Sequence, residues 1–104
     1  RTPKLLRRLL AAHSNLYLAI NVGPRPYLPN QMLTAEGVDP AWLALIRDHA
    51  DRFMMGMDTF HRQRGQGRNL PNTVPRNRHF FDALPADLQR KVGYENALRV
   101  FRLN

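Results

Sequence analysis

Cysteine is absent from this chain. That removes disulfides, zinc–thiolate centres and thiol nucleophiles together, and leaves the compartment open. Long apolar runs are absent as well. None approaches the ~20 residues that cross a bilayer, and residues 1–12 form a charged amphipathic pattern without a cleavage-site pattern. The expectation is a soluble protein with no membrane span, in the cytoplasm or the periplasm. Acidic residues are scarce: 8 Asp and Glu stand against 16 Lys and Arg, for a net charge of +8, and nearly all the cations are arginine. Such a balance attracts polyanions, so a small basic module for nucleic acid is one reading. The arginines are scattered, however. The one concentrated set, Arg62, Arg64, Arg68, Arg76 and Arg78, lies among Gly, Pro, Asn and Gln without a recognition-helix or RNA-binding signature. A solvated arginine-rich loop is the expectation there.

What is present has the size and balance of one ordinary domain. The 104 residues are 43% apolar and 23% charged, near globular averages, so wholesale disorder is excluded. The chain is organised around residues 52–60, Arg-Phe-Met-Met-Gly-Met-Asp-Thr-Phe. A near-continuous apolar run that ends in a carboxylate suits a strand buried on both faces, over 52–57, opening at its carboxyl end. Asp58 is then either a turn or cap residue or a functional acid.

In chain order, Thr2 caps and Pro3 starts a first helix. Leu5, Leu6, Leu9, Leu10 and His13 share one face, and His13 ends the helix where a cation favours the dipole. Residues 16–22, Leu-Tyr-Leu-Ala-Ile-Asn-Val, read as a second buried strand stopped by Gly23 and Pro24. A loop over 23–38 follows, with Pro24, Pro26 and Pro29. Loops of that length in compact domains are often functional, and Arg25 and Tyr27 are its candidates for facing a ligand. Asp39 and Pro40 open a helix whose Trp42, Leu45, Ile46 and His49 form the packing face. Two apolar strands joined through a helix predict a parallel pair with a right-handed crossover, both strands ending on one edge. Asp58, the proline-rich loop and the basic segment meet at that edge, where α/β folds place ligands.

The remainder reads as helices: one at 78–84 with Phe80 and Phe81, one over 86–92 stopped by Gly93, and a last one at 94–103. Asn96, among helix formers, is expected to bond neighbouring backbone.

Five blocks in order carry a family resemblance: Asn15-Leu-Tyr-Leu-Ala-Ile, Pro40-Ala-Trp-Leu-Ala-Leu-Ile, Asp51-Arg-Phe-Met-Met-Gly-Met-Asp-Thr, Leu84-Pro-Ala-Asp-Leu-Gln-Arg-Lys-Val and Tyr94-Glu-Asn-Ala-Leu-Arg-Val-Phe. Together they resemble the C-terminal end of the amidohydrolase-related metal-dependent hydrolases and non-oxidative decarboxylases. The resemblance covers nearly the whole chain except 61–77. It implies an α/β fold, the C-terminal portion of a TIM-like (β/α)8 barrel, with 16–22 as its seventh strand and 52–57 as its eighth. It also implies that Asp58 stands at a divalent metal such as zinc, as a ligand or as acid/base for the metal-bound water, whose pKa the metal lowers. The family has Gly-Ser-Asp or Gly-Thr-Asp where this chain has Gly56-Met57-Asp58, so a hydroxyl hydrogen bond is lost.

The family's His-x-His pair does not occur here, and His61 and His79 match none of its ligand positions. One carboxylate does not hold a catalytic metal. Two barrel strands also leave open edges and unmatched apolar faces. The expectation is a single partial domain over 1–104. It is inactive alone, depends on the remainder of the barrel, and admits an oligomer or a non-catalytic structural remnant as alternatives. Arg25, Tyr27 and Arg62 are the substrate-side candidates, the arginines suiting a carboxylate-bearing small molecule.

Overall fold

The computed structural model describes residues 2–22, 31–56 and 70–103. Helix α1 spans Pro3–Ala12, with Thr2 Oγ1 accepting from the Leu5 N–H at 3.2 Å and proline at the first position, as the sequence predicts. The backbone N–H of His13 closes the helix on the Leu9 carbonyl. Its apolar face is only partly used. Leu10 is buried and Leu6 half-buried, while Leu5 and Leu9 remain exposed.

Strands β1 (Leu18–Ile20) and β4 (Phe53–Met55) form a parallel pair in the register Leu18↔Phe53, Ala19↔Met54, Ile20↔Met55. The Gly56 N–H extends the ladder to the Ile20 carbonyl at 2.8 Å. Both strands are shorter than their apolar runs, because side chains take over the ladder at the ends. Arg52 Nε donates to the Leu16 carbonyl at 2.6 Å, and the Val22 N–H donates to Asn77 Oδ1 at 2.9 Å.

Between the strands, the expected loop contains a small hairpin, β2 (Leu33–Thr34) with β3 (Gly37–Val38). Its two-residue turn, Ala35-Glu36, lacks the usual Asn-Gly signature. Thr34 Oγ1 replaces that signature, accepting from the Glu36 N–H and donating to the Gly37 carbonyl, with Gly37 at φ +119°. Helix α2 (Pro40–Asp48) then starts as read, Asp39 Oδ2 accepting from the N–H groups of Ala41 and Trp42.

The C-terminal third departs most from expectation. Helix α3 runs Leu70–Ala83, starting well before the helix read at 78–84, so Arg76 as well as Arg78 lies on a helix and not in a loop. Pro75 sits inside it, in the second turn, where a missing N–H costs a single hydrogen bond. Gly93 does not stop the next helix. α4 (Ala86–Arg90) passes into a π-helical segment, Lys91–Glu95, and on into α5 (Asn96–Val100). A Cβ on Gly93 would lie 2.9 Å from the Phe81 ring, so the bare glycine lets α3 approach this segment closely.

The core follows from these placements. Strand alternation puts Leu18, Ile20, Phe53 and Met55 on one sheet face. Ile20 and Phe53 are buried with Trp42, Leu45 and Ile46 of α2 and with Phe80, Leu88 and Val92 from the C-terminal helices. The opposite face carries Ala19, Asn21, Met54 and Gly56, of which Ala19 and Asn21 are exposed.

Candidate functional site

The carboxyl edge of the β1–β4 pair begins with Asn21, Val22 and Gly56. Asp58, Arg25, Tyr27 and Arg62, the residues singled out from the sequence, lie outside the described residues. The described part of that edge is built on amides. Asn77, on α3 and 4% exposed, reaches across to β1. Its Oδ1 accepts from the Val22 N–H, so its Nδ2 points the other way and donates to Asn21 Oδ1 at 3.4 Å.

Two clefts open from this edge, and Gly56 borders both. The larger, about 710 Å³, runs along β1 between Leu6 of α1 and Met32 ahead of the hairpin, with Ala19, Ile20 and Phe53 as further apolar walls. Asn21 supplies the one polar side chain among the described residues of its lining. The second, about 560 Å³, lies between Met55 and the α3 residues Val74, Asn77, Arg78, Phe81 and Asp82. Arg78 Nε and Asp82 Oδ2 stand 3.9 Å apart one helical turn from each other at its rim.

The amino edge is different in kind. Asp51, just before β4, accepts from Lys91 Nζ at 3.0 Å and has Arg99 at 3.9 Å. The Lys91 hydrogen bond, with the charges of Lys91 and Arg99 behind it, holds the Asp51 carboxyl below its ordinary value. Asn96 is fully buried and bonds backbone in and just ahead of β4, not the neighbouring backbone that the sequence suggested: its Nδ2 donates to the carbonyls of Ala50 at 2.6 Å and Phe53 at 2.8 Å, while its Oδ1 accepts from Arg99 at 3.1 Å. Several cations thus have acidic partners on separate elements, among them Arg7 on Asp48 at 2.7 Å and Arg47 on Asp87 at 3.4 Å.

Among the described residues, no three His, Cys, Asp or Glu side chains come together in a way that would hold a metal ion. No described helix is long and apolar enough to cross a membrane. The Asn21–Asn77 pair was not singled out from the sequence. Its one local signal was a polar residue closing an otherwise apolar strand, Ala-Ile-Asn-Val.

No protein-family model, no curated protein and no solved structure matches this chain.

Proposed function

We propose that this chain is the C-terminal part of a metal-dependent hydrolase or decarboxylase of the amidohydrolase-related type, a partial domain that brings Asp58 to an active site built mostly by the rest of a (β/α)8 barrel. The ordered sequence blocks carry the proposal, and one structural observation supports it. The parallel register from Leu18↔Phe53 to Ile20↔Met55 ends both strands on one edge, with one sheet face packed under helices while Ala19 and Asn21 on the other are exposed. A barrel strand has this two-sided character, with helices outside and further strands around its inner face.

The described residues do not supply a metal's ligand set, so no chemical step is assigned to an ion here. On this reading Asp58 gives one carboxylate, the remaining ligands come from the rest of the barrel, and Arg25, Tyr27 and Arg62 contribute to holding a small carboxylate-bearing substrate. The test is metal analysis of the longest natural chain that contains this sequence, wild type beside Asp58→Asn. A stoichiometric divalent ion that Asp58→Asn releases, or retains with turnover abolished, supports the reading. A metal-free protein overturns it.

A further inference from the structure

In a parallel pair the N–H and C=O of one residue point to the same side, and successive residues alternate sides. The Gly56 N–H donates to the Ile20 carbonyl at 2.8 Å, which turns Leu18 and Ile20 toward β4 and Ala19 away from it. Ala19 is exposed, and neither of its backbone groups has a partner among the described residues. The far side of β1 is therefore an open edge.

Helix α1 reaches out over that edge. Leu10 joins the core with Ile20 and with Trp42 and Leu45 of α2, and Arg7 pairs with Asp48 at 2.7 Å, so the two helices lie side by side on one sheet face. Leu6, one turn before Leu10, borders the cleft of about 710 Å³ along β1, whose walls are otherwise mostly apolar. Leu5 and Leu9, 46% and 37% exposed, leave further apolar surface uncovered on the same helix.

A helix that leads into a parallel strand also covers the strand that leads into it, and the crossover is right-handed. That rule carries the chain from β1 through α2 to β4 on one side. With α1 on the same face as α2, the same hand puts the strand that enters α1 on the other side, against Ala19. We propose that the open edge of β1 is the docking surface for an apolar strand of the same polypeptide, the stretch just ahead of α1. It lies parallel to β1, pairs with the N–H and C=O of Ala19 and fills the cleft beside Leu6. Only the partial-domain part of the reading above is needed, not its hydrolase chemistry, since any parallel α/β sheet obeys this hand. A second copy of the chain is the wrong occupant: two β1 edges related by a twofold axis meet antiparallel, and each copy carries a net charge of +8.

Amide hydrogen exchange and cross-strand NOEs in the longest natural chain containing this sequence test the docking. The Ala19 N–H should exchange roughly a hundredfold or more slowly than an exposed amide, with NOEs to an apolar stretch that ends about two to six residues before α1. Ala19→Pro removes the outward N–H and leaves every bond to β4, as proline permits at an edge. The upstream strand should then exchange roughly tenfold or more faster while the Gly56 N–H stays protected. A fast-exchanging Ala19 N–H in the wild type, which needs no variant to fold, overturns the proposal. So does pairing of Ala19 with any other segment or with a second copy, an upstream strand unmoved by Ala19→Pro, or a natural chain with nothing ahead of Arg1. Metal content is read on the same preparation: a metal-free chain with this strand in place sinks the hydrolase reading and keeps the interface, and a metal-bound chain with a free Ala19 does the reverse.

Discussion

At the amino end of the β1–β4 pair, backbone carbonyls in and just ahead of the strands are gripped by side chains from 36 to 48 residues away in sequence, whereas at the carboxyl end the one long-range side-chain tie to backbone among the described residues is Asn77, which accepts from the Val22 N–H. Arg52 takes the carbonyls of Leu16 and His13, Asn96 those of Ala50 and Phe53, and Arg99 that of Asp51. Every one of these acceptors is backbone, so the amino end spends its polar groups on holding the fold. The carboxyl end keeps an outward-facing amide and two clefts. This division matches the general one in α/β folds, with stability at the amino ends of the strands and chemistry at the carboxyl ends.

Substitutions sharpen or break that contrast. The largest effect belongs to Asn96→Ala, which strips the buried Phe53 carbonyl and the half-buried Ala50 carbonyl of their donor and should cost roughly 2–4 kcal/mol in denaturant unfolding. A loss under ~1 kcal/mol would mean that water takes its place. Arg52→Met removes the grip on Leu16 and His13 and the guanidinium stacked 5.6 Å over the Tyr17 ring. It should cost about 1–2 kcal/mol, with the apolar stem retained.

Asp51 is smaller and conditional. Its carboxyl is held below the ordinary value of 3.8 in the folded chain, so its contribution is fully present above that pH and is lost as pH falls through the lowered value. Because the side chain is 63% exposed, Asp51→Asn should cost less than ~1 kcal/mol at neutral pH, and 1 M salt should erase most of the difference. Thermal melts of both proteins between about pH 2 and 7 check the sign, since the gap between them must close toward acid. The smallest effect is expected at the other end, where Asn21→Ala removes only the long 3.4 Å bond from Asn77 Nδ2 at an exposed position and should cost under ~0.5 kcal/mol. A large drop there would make both ends structural and dissolve the contrast.

What the sequence disclosed was what short stretches of chain decide. Thr2 with Pro3 and Asp39 with Pro40 announce their helices within three residues, and two apolar runs joined through α2 imply the parallel pairing. The hidden features depend on partners far along the chain. Asn96 looks like a weak helix residue until the strand carbonyls it serves are in place, and Asn77 sat in a stretch that its prolines made look irregular. Gly93 carries the local signal of a helix stop, but its lack of a side chain serves the approach of Phe81. Strand ends were overextended for the same reason: hydrophobicity continues through Leu16 and Val22, while their backbone groups are claimed by Arg52 and Asn77. The candidate site was legible only as an edge, and its amide pair was not.

The bond from Asn96 to Phe53 also sets an order of assembly. It joins residues 43 apart, and that to Ala50 joins residues 46 apart. A nascent chain translated at ~5–20 residues per second therefore spends several seconds with β4 already made and the Phe53 carbonyl without its Asn96 donor. Until α5 has left the ribosome and docked, the strand has no lasting partner on that side. A product released before Asn96 lacks both of these bonds, and α5 acts as the latch on a strand completed long before it.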